Sequence, residues 1–370
     1  IDGDERVVMD DGVELARADL DVLVEATGVP DAGARHAYAA LSGGTHVVNA
    51  TVETDSVVGP ALADLARREG VTYSLAYGDQ PALMVELCDW ARTIGMDVVA
   101  AGRGSMYVPD YRFGTPEDVF ERIGFSKRFV AEHGLNPQMY NSFLDGTKIA
   151  VESCALANAA GLEPDVPGMH LQTLEPHEVP ETLRPEADGG VLEKTGVVET
   201  ISSRYPDGST TERDLGPCVF VVTTTPNRGV QDFLDQHDGV GLHVASEGEY
   251  AFFHRPFHLA GVKTAASVAS AALRNEPTGA PRERRAEVVG AAKHDLEPGD
   301  ELDGGGGYTV YGLVETAERA DAHDHVPFEL LGGATVTAAV GRDEVLTYDD
   351  VELPETFLRR LREDPASASL

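Results

Sequence analysis

Lys148 is the residue of this chain best placed to do chemistry. The run Asp145-Gly146-Thr147-Lys148 reads as a turn entering a helix, with Asp145 as its N-cap and the helix running from Lys148 to Ala160. Lys148 then stands in the first helical turn, with Glu152 four residues on and on the same face. A helix N-terminus is electrostatically unfavourable for a cation. The chain has only five lysines among 29 basic residues, so keeping one there points to use: an ammonium that polarises a substrate oxygen. The purely structural alternative is a Lys148–Glu152 ion pair.

Carboxylates and one arginine join it as catalytic candidates. Asp79 and Asp145 are of the type that orients a hydroxyl, moves a proton or holds a divalent cation, and equally of the type that caps helices and closes turns. Arg255, in His254-Arg255-Pro256-Phe257-His258, offers a planar cation suited to a phosphate or carboxylate, or a loop arginine satisfied by its neighbours. Gly304 to Gly307 has no Lys-Ser/Thr after it and no helix, so it reads as a tight turn rather than a phosphate loop.

The elements that must position these groups alternate. Asp21–Ala26 reads as a buried strand, Ala32–Leu41 as a helix and His46–Asn49 as a second strand. Val58–Glu69 follows as a helix, Val71–Ala76 as a strand, Pro81–Thr93 as a helix and Met96–Ala101 as a further buried strand. This pattern predicts a parallel sheet, whose ligands lie beyond the carboxyl ends of its strands. Four loops fall there: Thr27-Gly28-Val29-Pro30, Asn49 to Glu53, Gly78 to Pro81 and Gly102-Arg103-Gly104. Thr27, Gly28, Pro30, Asn49, Val52, Glu53 and Gly78 are the candidates for cofactor contact. No G-x-G-x-x-G follows a strand near the start, and a complete dinucleotide-binding domain would place roughly 30 or more residues before Asp21. The expectation is an incomplete Rossmann sheet lacking its pyrophosphate cradle.

After this, Pro116 to Gly161 reads as helical. Glu163 to Gly216 reads as loops and an exposed insertion, with a hairpin turning at Pro206-Asp207-Gly208. Cys218–Thr224 and Glu249–His254 read as strands, Leu259–Leu273 as a helix, and the tail from Ala286 as a small β-rich module. The fold class is α/β with three parts: residues 1–98 as the truncated dinucleotide-binding domain, 99–283 as an α+β catalytic and dimerisation domain, and 284–370 as the β module.

Composition narrows the partners. A net charge of −34, from 63 acidic and 29 basic residues in 370, repels nucleic acid and anionic membranes and suits a salt-rich cytoplasm. No run approaches the ~20 apolar residues of a membrane span. Cys88, Cys154 and Cys218 are too few and too scattered for a disulfide framework or a paired zinc site. A cytoplasmic protein is expected.

Strand, T-G-x-P and then His46-Val47-Val48-Asn49-Ala50-Thr51-Val52-Glu53 resembles homoserine dehydrogenases, whose nicotinamide side lies on those loops. Thr51-Val52 stands where that family has Asn-Lys, so its lysine is not carried over. A resemblance over nearly the whole chain is to homoserine-dehydrogenase-like oxidoreductases with a C-terminal SAF domain, deoxyxylulose-phosphate reductoisomerase-like proteins among them. It rests on Gly78-Asp79-Gln80-Pro81-Ala82, Ser142 to Lys148, Asn158 to His170, Arg255 to Leu259 and Leu302 to Gly312. The resemblance implies NADP(H) or NAD(H), a role open to a divalent metal, a homodimer, and a small polar carbonyl or hydroxyl substrate such as a sugar phosphate or sugar acid. The alternatives are oxidation of homoserine or a similar alcohol, and a non-catalytic protein that binds a sugar or a partner.

Overall fold

The computed structural model describes residues 8–246 and 248–370; residues 1–7 of the first predicted domain lie outside it. A short helix α1 (Gly12–Ala16) leads into strand β1 (Val22–Glu25), helix α2 (Pro30–Ser42), strand β2 (His46–Asn49), helix α3 (Val52–Glu69) and strand β3 (Tyr73–Leu75). The three strands pair in parallel in the order β1-β2-β3, as the alternation predicts. Helix α2 starts on Pro30, whose missing N–H costs nothing at a first helical position. Helix α3 begins six residues before the predicted Val58 and accommodates Pro60, so Val52 and Glu53 belong to its first turn rather than to a loop. Gly33 lets the two helices approach, because a Cβ there would stand 2.3 Å from Thr54 Oγ1.

Helix α4 (Gln80–Thr93) then leads to β4 (Asp97–Ser105), where the structure departs from the expected order. Strand β4 joins a second, six-stranded sheet, not the parallel one. A short apolar run looks the same in either sheet, and only its partners distinguish them. The strand also runs on through Gly102-Arg103-Gly104, which are therefore not a loop. Cβ atoms at Gly102 and Gly104 would each lie 1.6 Å from a backbone oxygen, of Glu199 and Leu215 respectively; these glycines permit close packing of backbones.

Helices α5 (Val119–Ile123), α6 (Lys127–His133), α7 (Pro137–Leu144) and α8 (Thr147–Ala160) follow, and then strands β5 (Glu163–Pro164) and β6 (Val197–Ser202) with α9 (Val179–Thr182) between them. The predicted exposed insertion is instead part of a core: all six residues of β6 are buried, and Leu174, Val179, Leu183 and Leu192 pack with Phe220 and Phe252. The predicted hairpin reduces to one bridge, Arg204 to Thr210, because β6 spends its pairing on β5 and β4 in parallel. Strand β7 (Val219–Thr224), helix α10 (Arg228–Asp235), and strands β8 (Leu242–Val244) and β9 (Tyr250–Arg255) complete the sheet in the order β5-β6-β4-β7-β9-β8.

Helix α11 (Thr264–Arg274) returns to the three-stranded sheet. The β-rich tail pairs β10 (Ala286–Ala292) antiparallel with β11 (Val310–Thr316), adds helix α12 (Ala317–Ala322) and the small pair β12 (Thr335–Val336) and β13 (Val351–Glu352), and ends in helix α13 (Phe357–Glu363). Gly304 to Gly307 is a tight turn with Gly304 and Gly306 at positive φ.

Helix α8 joins these parts. Every residue from Ile149 to Ala160 is buried, and it touches α3, α4, β4, β6, β10 and β11. A helix buried on every side, its few polar side chains included, is one surrounded by protein. Truncating Leu156 to alanine would cost ~2–5 kcal/mol through the cavity left. The N-terminus of α8 is therefore held rigidly where the parts meet.

Candidate active site around Lys148

Gly146 adopts φ +95° just before α8, a conformation only glycine takes freely. Thr147 N donates to Asp145 Oδ1 (2.9 Å), and Gly312 N on β11 donates to Thr147 Oγ1 (2.9 Å). With the turn pinned, the Lys148 side chain runs across to α3 and donates from Nζ to Glu53 Oε1 at 2.7 Å. Burial works to lower the Lys148 pKa, but the negative charges of Glu53, Glu152 and Asp79 outweigh it and hold the ammonium above its ordinary range. Lys148 is thus a standing cation, suited to donating to an oxygen rather than to removing a proton.

Glu152 does not pair with Lys148 in the manner of an ordinary i,i+4 bridge. Buried at 2% exposure, it accepts from Arg103 Nη1, which reaches it from β4 between Gly102 and Gly104. Burial raises the Glu152 pKa, opposed by Arg103 and Lys148 and assisted by Asp79. Asp79 stands at the N-cap of α4, its Oδ1 accepting from Gln80 N at 2.9 Å. Its neighbour Gly78, at φ +101°, leaves no room for a side chain: a Cβ would meet Leu259 O at 2.5 Å and Lys263 Cβ at 2.8 Å. The loop after β9 crosses there, with Leu259 N donating to Gly78 O (2.9 Å). That loop also carries His258, whose charge bears on Glu152.

The structure therefore brings Lys148, Glu152, Asp79, Glu53 and Gly78 together, and it sets two predicted catalytic residues apart. Asp145 is buried, its Oδ2 taking Lys293 Nζ at 2.8 Å while the same ammonium donates to Gly114 O (2.9 Å) and Gly307 O (2.6 Å). A carboxylate so committed anchors the β-rich tail beneath α8 and has no room for a metal or a substrate. Arg255 is turned to Glu86 (2.9 Å) and Tyr77 OH (3.3 Å); these two partners, with Trp90 and Arg282, line a 920 Å³ cavity that holds none of the Lys148 group. Arg103, His258 and Glu329 complete the surroundings of Lys148. The first two lay within segments the sequence draws attention to, whereas Glu329 carries no sequence signal.

The remaining cofactor candidates cluster at the carboxyl ends of β1 and β2. Gly28 N donates to Thr51 Oγ1 (3.1 Å), tying the first loop to the second, and Thr27 Oγ1 donates to Glu25 Oε1 (2.6 Å). Neither Val29 before Pro30 nor Thr51 before Val52 supplies a side-chain cap; Gly33 N and Thr54 N turn back to Val29 O and Thr51 O, and the amides between them in the first turns, of Asp31 and Ala32 and of Val52 and Glu53, are open to another acceptor. Asn49 Nδ2 donates to Thr51 O and to Tyr73 OH, each at 3.0 Å, while its buried Oδ1 has no partner among the described residues. Uncapped amides beside an unpaired acceptor fit the polar ribose and carboxamide end of a nicotinamide nucleotide. For a metal the donors do not fit: among the described residues no group of three His, Cys, Asp or Glu side chains is arranged to hold a metal ion.

The described helices include none long and apolar enough to cross a membrane, and the three cysteines are buried and free. Residues 78–264 match the model of the catalytic domain of the oxidoreductase DRL family. No curated protein matches the chain. Among solved structures, a 1-deoxy-D-xylulose 5-phosphate reductoisomerase from Zymomonas mobilis, in complex with NADPH, is 16% identical over 58% of this chain and 46% of its own, with a TM-score of 0.29. The chain thus spans under half of that enzyme's length. A candidate homoserine dehydrogenase from Archaeoglobus fulgidus is 18% identical over 70% of this chain and 75% of its own (TM-score 0.34). A candidate oxidoreductase from Bacteroides fragilis is 14% identical over 74% and 77% (TM-score 0.27). Such distant likenesses assign no role to any residue.

Proposed function

Since the chain belongs to the oxidoreductase DRL family, whose catalytic-domain model covers just over half of it, we propose that it is a nicotinamide-dependent oxidoreductase of a small polar carbonyl or hydroxyl compound, a sugar phosphate or sugar acid. The observation that carries this reading is the half-buried Lys148 ammonium, kept charged by Glu53, Glu152 and Asp79 beside the strand ends. NADP(H) or NAD(H), held by Thr27, Gly28, Pro30, Asn49 and Val52 where β1 and β2 give way to α2 and α3, supplies the hydride when bound. Lys148 donates to the substrate oxygen and stabilises the negative charge that grows on it, an effect worth roughly 10²–10³ in rate. Asp79 takes or returns the hydroxyl proton. Glu53 and the Arg103–Glu152 pair orient the ammonium.

A second reading, oxidation of an amino-acid-like alcohol such as homoserine, is favoured by one observation: Glu53, Asp79 and Glu152 outnumber Lys148 and Arg103, which suits a substrate ammonium. The resemblance supports a SAF-type tail and a homodimer, and the net charge of −34 with only five lysines supports a salt-adapted cytoplasm, the dimer being testable by light scattering in molar KCl. Fluorescence titration with NADPH and NADH in molar KCl, followed by turnover on sugar phosphates, sugar acids and homoserine, tests the function. Binding with turnover that Lys148→Met lowers by roughly 10²-fold or more is the expected result. Undiminished turnover in both Lys148→Met and Asp79→Asn would remove the site assignment.

A further inference from the structure

The Lys148 site is not made by the family-matched segment alone. Residues 78–264 supply Asp79, Arg103, Lys148, Glu152 and His258, but Glu53 comes from α3 before it and Glu329 from the tail beyond it. Glu329 sits in the 3-10 turn Phe328–Leu330, which packs against α3 and β10. The turn is fixed on several sides. Pro327 bridges to Val289, Val326 N donates to Leu346 O (3.0 Å), and Leu330 N donates back to Pro327 O (3.0 Å). Fully buried Phe328 lies over Gly305 and near Gly290, where a Cβ at either glycine would be 3.5–3.6 Å from its ring, and the Gly305 position also meets Thr147. Phe328 is thereby lodged beside the residue preceding Lys148, and the next residue in the chain, half-buried Glu329, stands on the turn packed against α3, the helix that carries Glu53, within electrostatic reach of Glu53 and Lys148.

We propose that Glu329 is a specificity-determining residue of the Lys148 site, a carboxyl placed there by the C-terminal module to set the charge that an incoming substrate meets. Burial, with Glu53 beside it, pushes Glu329 up to about 8, against the opposing pull of Lys148. Those two are the charged groups that face it, Glu53 from α3 and Lys148 from α8; its own turn contributes none. Near neutral pH the carboxyl is protonated and adds no charge beside Lys148 and Glu53. Above about pH 8 Glu329 ionises and adds one negative charge to the site. An anionic substrate is then repelled and a cationic one drawn in, while the hydride-transfer groups themselves are unchanged. The substrate consequence rests on the oxidoreductase reading; the placement of Glu329 does not.

The first measurement is therefore independent of turnover: carbon-13 spectra of the full chain, labelled at glutamate side-chain carboxyl carbons, titrated from pH 5 to 10 in molar KCl. One resonance absent from Glu329→Gln should titrate near pH 8. It should move down by about one unit or more in Glu53→Gln, and up by a similar amount in Lys148→Met. A Glu329 resonance that titrates in the ordinary carboxylate range, or that neither variant moves, overturns the proposal whether or not the protein proves to be an oxidoreductase. With a substrate from the turnover panel, KM for an anion should rise about tenfold between pH 7 and 9, or fall comparably for a cation, with kcat within twofold. Glu329→Gln should flatten that profile. A KM indifferent to pH in the parent protein would overturn the charge-setting role.

Discussion

Lys148 donates to Glu53, 95 residues away on another helix, and not to Glu152, one turn along its own. Because the two carboxylates are shared out, Glu53 to Lys148 and Glu152 to Arg103, the ammonium is anchored from a different element than the one that carries it. A substrate oxygen can then take a place beside Glu53 without dismantling the i,i+4 face of α8.

Removing that ammonium should be felt in the chemical step. Lys148→Met is expected to lower kcat/KM by roughly 10²-fold or more, with nucleotide affinity within a few-fold of the parent. Glu53→Gln, which keeps the cation and loosens its placement, should cost about tenfold in kcat. Steady-state kinetics with parallel nucleotide titrations separate the two; equal losses in both variants would contradict the assigned division of labour.

The Lys293–Asp145 pair should govern stability. With exposures of 2% and 0% for the two side chains, Lys293→Met leaves a buried carboxylate without its partner and should destabilise by about 3–5 kcal/mol. The double variant Lys293→Met/Asp145→Leu should recover part of that loss. Urea unfolding in fixed salt measures both. If Asp145 worked in catalysis, Asp145→Asn would instead impair turnover with little change in the unfolding midpoint.

Asp55 should give stability a pH slope. Burial raises its carboxyl to about 7 against the hydrogen bond from Tyr73, so the folded protein retains a proton that the unfolded chain releases above its ordinary value of 3.8. The folded form binds more protons over that interval, so its stability falls as pH rises from about 4 to 7 and this contribution levels off beyond. Asp55→Asn cannot ionise. Its melting temperature relative to the parent should climb across the same interval and stay constant above pH 7, and a difference independent of pH would refute the assignment.

Arg255 is expected to tolerate change. Its guanidinium is engaged by Glu86 and Tyr77, so Arg255→Met should lower kcat/KM by less than tenfold and shift the local packing against Glu86. A loss beyond 100-fold, expressed in KM for an anionic substrate, would mean that the arginine leaves Glu86 to meet the ligand.

Lys148 was legible because lysine is scarce in this chain and the turn before it is sharply marked by Asp145-Gly146-Thr147. The strand-end loops were legible from alternation of strand and helix, which brought Glu53, Gly78 and Asp79 into view. What failed was pairing at long range. Nothing local says that Asp145 answers to Lys293, 148 residues on, or that β4 joins β6 and β7 instead of β3. Arg103 looked like part of a glycine turn, since glycines required for close backbone approach are indistinguishable in sequence from glycines that bend the chain. Strand β6 was legible as the first arm of a hairpin, Gly196 to Tyr205, but its burial and its parallel partners β5 and β4 were not, because both are supplied by residues far from it in the chain. Glu329 had no signal at all: a single carboxylate in an acidic chain becomes notable only once Phe328 is seen to place it.

Helix α13 carries the end of the chain back over its beginning. Leu358 N donates to Asp31 Oδ1 (2.8 Å), Tyr38 OH to Ala368 O (2.6 Å) and Arg362 Nη1 to Val57 O (3.0 Å), while Phe357, Leu358 and Leu361 are buried against α2 and α3. During synthesis, then, the helices flanking the first strands must wait for the last dozen or so residues before their outer face is covered. Contacts spanning more than 300 residues are late and slow to form, so a nascent chain in which α13 has not yet been made would expose the apolar surface of α2 and α3 that this helix covers.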